Sequence, residues 1–88
     1  MNTLTDLRGQ IDGIDDQLAA LFEQRLAVVQ LISREKAAVG GCVRDKGREQ
    51  EILGRVCDGC GAFAPYTRAF FRHILSLSRK MQRNHRAG

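Results

Sequence analysis

Apolar residues recur along the first third of the chain at alternating spacings of four and three. The stripe runs through Leu7, Ile11, Ile14, Leu18, Leu21, Arg25, Val28 and Ile32. This period is typical of one face of an α-helix. Thr5 is a suitable N-cap, Asp6 suits the first turn, and Gly40-Gly41 supplies a stop signal. The pattern therefore predicts one long helix from about Thr5 to Val39.

The remainder of the chain predicts two shorter helices. One is expected from Arg44 to Cys57, and the other begins in its first turn with Pro65 and reaches about Asn84. No stretch alternates between apolar and polar residues as a half-buried strand does. We therefore expect an all-α fold, with one long helix and two shorter ones in a single domain over residues 1–88.

The stripe contains one charged residue, Arg25, where every other member is aliphatic. A guanidinium carried toward a packed interior is costly unless an opposite charge meets it. No acidic residue shares its register. The sequence therefore predicts that the counter-charge is a ligand, and that Arg25 belongs to an anion site.

The length of the first helix predicts self-association. About 35 helical residues span roughly 50 Å, whereas a compact domain of this size has a radius of gyration near 12–13 Å. The helix must project beyond its own core and leave part of its stripe bare. A second copy packed on that stripe is the simplest cover, so we expect an intertwined two-fold homodimer.

Composition excludes several classes of protein. The first residues lack a signal peptide, and no apolar run is long enough to cross a bilayer, so we expect a cytoplasmic protein without a membrane partner. Cys42, Cys57 and Cys60 are expected to be free thiols, since Cys57 and Cys60 have CxxC spacing but no second pair to complete a zinc site. We expect neither metal nor cofactor.

The charge balance leaves the kind of partner open. Lys and Arg number 14 against 10 Asp and Glu, for a net charge of +4. Cations near the C-terminus either complement the last helix dipole or bind nucleic acid, although no stacking aromatics accompany them. A helical dimerisation or RNA-binding module is the non-enzymatic alternative. Steering of an anionic metabolite is the interpretation that we prefer, with no nucleic-acid partner.

Further polar residues continue apolar stripes on all three predicted helices. They are Arg8, Lys36, Asp45, Arg48, Glu49, Ser78 and Gln82. Each has an ordinary surface explanation taken alone: Asp45 as an N-cap, for example, or Glu49 paired with Arg48 or Lys46. Together with Arg25 they predict a pocket where the polar halves of the stripes converge.

These residues carry a resemblance to a known family. Leu7-Arg8, Ile14-Asp15, Arg25 and Lys36 occur in order, followed by Val43-Arg44-Asp45-Lys46-Gly47-Arg48-Glu49 and Ser78-Arg79-Lys80-Met81-Gln82. The two latter segments match the "VRDxxRE" and "SxxxQ" motifs of the all-helical, AroQ-class chorismate mutases. The chain resembles this family over nearly its full length.

The resemblance implies a role for each matched residue. Arg8, Arg25 and Arg48 hold the two carboxylates of chorismate, and Ser78 lies beside one of them. Lys36 and Gln82 donate to the ether oxygen, while Asp45 and Glu49 contact the ring hydroxyl. In this family the first arginine serves the partner's site; Arg8 and Lys36, 28 positions and roughly 42 Å apart on one helix, are indeed too distant to share one small substrate.

The implied function is a chorismate mutase of aromatic amino acid biosynthesis, forming prephenate, with Lys36, Gln82, Arg25 and Glu49 as its catalytic residues. Two enzymes with related substrates are alternatives to this function. A 4-amino-4-deoxychorismate mutase acts on a ring amine, which Asp45 and Glu49 could equally accept. An isochorismate pyruvate lyase shares the fold but lacks the RDxxRE helix start that this chain has.

Overall fold

The computed structural model describes residues 3–41 and 44–87, with side chains described as far as residue 84. It contains three α-helices: α1 over Leu4–Ala38, α2 over Lys46–Cys57 and α3 over Ala64–Ala87. A short 3₁₀ turn, Gly61–Phe63, leads into α3. The predicted all-α fold of one long and two shorter helices is confirmed over the described residues. Cys42 and Val43 lie outside them.

The start of α1 is fixed by a capping box whose N-cap, Thr3, lies two residues before the predicted cap. Thr3 Oγ1 accepts a hydrogen bond from the Asp6 amide at 3.2 Å, and the Asp6 carboxylate accepts one from the Thr3 amide at 3.3 Å. The prediction that Thr5 caps the helix was wrong, because this reciprocal arrangement needs an acidic or amide residue three positions later. Thr5 is followed at that distance by Arg8.

The end of α1 follows the prediction that two glycines stop it. Val39 is the C-cap, and Gly40 adopts a φ of 72°, which favours glycine. The Gly41 amide then donates to the Lys36 carbonyl at 2.6 Å. This turn closes the last carbonyls of the helix and fixes the backbone at Lys36.

The two shorter helices differ from their predicted bounds by a few residues. Asp45 is the N-cap of α2, its carboxylate accepting from the Arg48 amide at 3.0 Å, so the helix starts at Lys46 rather than Arg44. Pro65 lies in the first turn of α3, as predicted. That helix continues to Ala87, beyond the predicted end at Asn84.

The core is small and is centred on α3, which packs against both other helices. Ile52 and Leu53 of α2 and Leu75 of α3 form its buried cluster, with Phe71 and Val56 packed against it. Val29 and Ile74 are also buried, at 7% exposure each. These contacts place the inner faces of all three helices around one end of the molecule.

The opposite end of α1 has no such packing. The molecule measures 57 × 27 × 14 Å, with a radius of gyration of 16.3 Å. Six large aliphatic side chains of the first half of α1 are between 43% and 62% exposed: Leu4, Leu7, Ile11, Ile14, Leu18 and Leu21. The helix therefore projects from its own core with a bare apolar stripe, as its length predicted.

Candidate functional site

A cavity of about 270 Å³ lies between the inner faces of α1, α2 and α3. All of the residues predicted for the site except one line this cavity: Arg25, Lys36, Asp45, Arg48, Glu49, Ser78 and Gln82. Its dimensions suit one small organic molecule. Three helices thus bring together side chains that are up to 57 positions apart, from Arg25 to Gln82 (82 − 25).

Arg8 is the predicted residue that lies elsewhere. It is exposed near the beginning of α1. At 1.5 Å per residue, the 17 positions to Arg25 correspond to about 25 Å along the helix axis. Within one chain Arg8 therefore does not reach the cavity.

Arg25 has a hydroxyl partner and, among the described residues, no carboxylate partner. Its Nη1 donates to Ser78 Oγ at 2.7 Å, and that hydroxyl donates in turn to the Ile74 carbonyl at 2.8 Å. Among the described residues no acidic side chain forms an ion pair with it. Its positive charge is therefore not neutralised by the part of the chain that the structure describes.

The surroundings of Arg25 make its positive charge unfavourable. Burial, and then the positive charges of Arg48 and Arg55, lower the pKa of Arg25 from its ordinary value. An arginine still carries its proton at neutral pH. A negatively charged ligand would relieve both the burial and the repulsion, so the local electrostatics favour anion binding.

Asp45 and Arg48 combine structural and cavity positions. The Asp45 carboxylate caps α2, which was the ordinary explanation offered for it, and it also lines the cavity. The Arg48 guanidinium reaches Glu51 at 3.2 Å in an exposed pair. Exposed pairs of this kind contribute little to stability, so Arg48 can exchange Glu51 for a ligand at small cost.

Glu49 is held by cations that the surface explanation did not include. Its Oε2 accepts from Arg79 Nη1 at 2.5 Å, and its Oε1 lies 3.6 Å from Arg44 Nε. The Glu49 side chain is only 15% exposed, and that of Arg79 is 19% exposed. The expected alternative of a surface pair with Arg48 or Lys46 was wrong, because the carboxylate faces α3.

Gln82 of α3 and Lys36 of α1 both line the cavity. Gln82 is 7% exposed, and its Oε1 is buried without a hydrogen-bond partner among the described residues. A buried amide normally finds partners, since leaving one unpaired costs about 1–3 kcal/mol. Gln82 is thus a polar group available to a ligand in the cavity.

Two cationic residues of the cavity were missed by the sequence reasoning, Arg55 and Arg79. Arg55 follows Arg48 by seven positions and so shares its helix face, which is a signal that the sequence did contain. Arg79 directly follows Ser78, and only the fold shows that it points to Glu49. With Arg25, Lys36 and Arg48 they give five cations against the carboxylates of Asp45 and Glu49, an excess of three positive charges.

Other candidate chemistry finds little support in the structure. Cys57 and Cys60 are free thiols, as expected, and Cys60 Sγ donates to the Val56 carbonyl at 3.0 Å. Within residues 3–41 and 44–87, no three His, Cys, Asp or Glu side chains are grouped as metal ligands. None of the described helices is long and apolar enough to span a membrane.

Comparison with known proteins places the chain in a family. The model of the family described as chorismate mutase type II matches residues 7–83. The chain belongs to this family, whose name denotes an isomerase activity.

A solved structure supports the same fold. The chain is similar to a conserved hypothetical protein from Pyrococcus furiosus, with 35% sequence identity and a TM-score of 0.77. The similarity covers 93% of this chain and 97% of that one. No curated protein shows significant similarity to the chain.

Proposed function

We propose that this protein is a chorismate mutase, which rearranges chorismate to prephenate. The observation that carries the proposal is the un-neutralised charge of Arg25 in a cavity with three excess positive charges. Chorismate is a small dianion and fits a site of that charge. Membership of the chorismate mutase type II family supports the same reaction.

The cavity offers a group for each part of the substrate. Arg25 and Arg48 bind the carboxylates through charge-assisted hydrogen bonds, and Ser78 keeps the Arg25 guanidinium in position. Lys36 and Gln82, which also line the cavity, donate to the ether oxygen.

The ring hydroxyl meets the carboxylates at the start of α2. Glu49 and Asp45 both line the cavity there. Each carboxylate has one oxygen engaged within the protein, Glu49 Oε2 by Arg79 and Asp45 Oδ1 by the α2 amide. The other oxygen of each can accept a hydrogen bond from the hydroxyl, since a carboxylate has about four lone-pair sites.

The reaction needs no nucleophile, because it is an intramolecular rearrangement in which the ether C–O bond breaks as a C–C bond forms. The protein's contribution is first to hold the flexible diacid in its compact reactive shape, which removes an entropic part of the barrier. Second, Lys36 and Gln82 stabilise the negative charge that grows on the ether oxygen. Gln82 lines the cavity at 7% exposure, and its amide nitrogen is the atom that can donate in that role.

We further propose that the protein acts as a homodimer with shared sites. The bare stripe on the first half of α1, Leu4 to Leu21, supplies an apolar surface for a second copy. Arg8 lies on the same projecting half of the helix. A two-fold pairing brings Arg8 of a second copy to the cavity that contains Arg25, which completes the set of residues implied by the family resemblance.

The test of the mutase function is the loss of chorismate and the appearance of prephenate with purified protein. The substitution Lys36→Ala should lower turnover by about 10²–10³, as expected for one preorganised donor. Lys80→Ala is the matched control, because Lys80 is an exposed lysine outside the cavity. Unchanged turnover in Lys36→Ala, with the helical content preserved, would show that the assignment is wrong.

The shared site has its own test, which uses two inactive variants together. Arg8→Ala and Arg25→Ala should each be inactive, whereas their mixture should regain activity. Random pairing makes half of the dimers mixed, and each mixed dimer has one intact site, so about one quarter of wild-type activity should return. A mixture that stays inactive after subunit exchange would contradict the shared site but not the reaction.

A further inference from the structure

The part of the cavity at the start of α2, where the substrate ring is proposed to bind, is called the ring end. It contains an acidic residue whose negative charge is already compensated. Glu49 pairs with Arg79 at 2.5 Å, and Arg44 adds a second positive charge at 3.6 Å. The Glu49–Arg79 pair joins α2 to α3 across 30 positions of sequence, and both side chains are more than four-fifths buried. Arg79 has no role in the family motifs on which the chain was identified.

We propose that Arg79 is a specificity-determining residue that makes the site selective for a neutral ring hydroxyl over a ring ammonium. The inference rests on the proposed mutase function and decides between two of its substrates. These are chorismate and its analogue with an amine in place of the ring hydroxyl.

The geometry leaves Glu49 suited to accept a single neutral hydrogen bond. Arg79 occupies Oε2, while Arg44 lies near Oε1 at a distance beyond a normal hydrogen bond. Oε1 can therefore accept from a hydroxyl. An ordinary alkyl amine carries a proton at neutral pH, and its extra charge would meet a carboxylate that Arg79 has already neutralised.

The second carboxylate at this end does not offset the effect. Asp45 uses Oδ1 to cap α2, so the ring end lies at the N-terminus of that helix. A helix N-terminus carries a partial positive charge, which disfavours a cation nearby. The excess of three positive charges in the cavity acts in the same direction.

The experiment compares kcat/KM for chorismate and for the amino analogue in wild type and Arg79→Gln. Wild type should prefer chorismate. In Arg79→Gln the ratio should shift toward the amine by about tenfold or more, the fold-change of one charge-assisted hydrogen bond. Arg79→Lys, which keeps the charge, should retain the preference. Arg44→Gln should shift it less, since Arg44 is 51% exposed and more distant.

A purely structural role for Arg79 predicts a different result, an equal loss of kcat/KM with both substrates. That result, with circular dichroism showing an intact fold, would overturn the inference. Wild-type preference for the amine at neutral pH would also overturn it. If wild type converts neither substrate, the proposed function fails instead, so the two failures are distinguishable.

A second measurement needs no variant and covers the case in which Arg79→Gln does not fold. As pH rises through the pKa of the substrate amine, the ammonium becomes neutral and can donate as a hydroxyl does. The wild-type preference for chorismate over the analogue should therefore shrink as the pH rises. A preference independent of pH across that range would contradict the electrostatic origin of the selectivity.

Discussion

Replacement of Arg25 by leucine separates the structural role of this residue from its proposed functional role. Leucine is aliphatic, as are all the other members of the apolar stripe of α1. Arginine and leucine have similar helix propensities, so the change does not alter the intrinsic stability of α1. What it removes is one charge and one hydrogen bond, the 2.7 Å contact with Ser78.

The expected change in stability is small, because the gains and losses oppose each other. Loss of the hydrogen bond to Ser78 costs about 1–2 kcal/mol, but the Ser78 hydroxyl keeps its bond to the Ile74 carbonyl and is not left unpaired. Against this, the variant no longer buries a charge beside Arg48 and Arg55, the two cations that lower the Arg25 pKa. We expect the free energy of unfolding to change by less than about 1 kcal/mol. For a domain of this size, 1 kcal/mol corresponds to about 4–8 °C in Tm, so the Tm should change by less than that.

The expected change in activity is large. Removing the protein partner of a substrate carboxylate weakens the interaction by about 3–4 kcal/mol, which corresponds to a 10²–10³-fold loss of kcat/KM. The assay is chorismate turnover together with thermal unfolding at one fixed protein concentration. Arg34→Leu is the matched control, since Arg34 is an exposed arginine on the same helix and outside the cavity.

A third measurement, the Tm in the presence of a ligand, separates anion binding from catalysis. A ligand that binds only the folded protein raises its Tm, and the rise grows with the logarithm of the ligand concentration divided by Kd. A non-reacting dicarboxylate should therefore raise the Tm of wild type and of Arg34→Leu, but not that of Arg25→Leu. A fall of more than about 3 kcal/mol in the stability of Arg25→Leu would refute the reasoning, because it is typical of a residue that holds the fold together.

Two further substitutions test single groups. Gln82 does not titrate, so wild-type turnover should not fall as the pH rises through neutrality. The Gln82→Glu variant donates only when its carboxyl is protonated, so it should lose activity as the pH rises through the carboxyl pKa, ordinarily about 4.3 and raised by burial. A pH–rate profile that is the same for both proteins would count against Gln82 as the donor. Ser33 is 1% exposed and its Oγ has no partner among the described residues, so Ser33→Ala should stabilise the protein by about 1 kcal/mol in urea unfolding. A destabilised Ser33→Ala variant would contradict this.

The sequence predicts the number and type of helices well, and their ends less well. The stripe on α1 spans about seven helical turns, so periodicity alone identifies that helix. The ends depend on local hydrogen bonds, and Thr3 and Thr5 are both acceptable caps until the partner three residues later is considered. The α2 start shows the same limit, since Asp45 was weighed as a cap while the helix was expected to begin at Arg44.

The candidate site was predictable where a residue interrupts an apolar pattern, as Arg25 does. Arg79 shows why the rest was not. Nothing in the spacing of residues around Arg79 on α3 is unusual. Its partner is a carboxylate 30 positions earlier, on another helix. Long-range pairing of this kind depends on how α2 and α3 pack, which no local spacing reports.

Arg25 also lies at a boundary in the structure, and this bears on the order in which fold and site are formed. On its N-terminal side the stripe lies outside the cavity, with Leu21 59% exposed, whereas on its C-terminal side Val28 and Ile32 of the stripe line the cavity together with Val29, which is buried at 7%. A molecule only 14 Å thick along one axis has little core of its own. If a second copy covers the bare half, the same contact that stabilises the fold also brings Arg8 to the site. Substitutions that weaken the apolar stripe, such as Ile14→Glu, should then lower activity and association together. Activity that persists in a demonstrated monomer would separate the two.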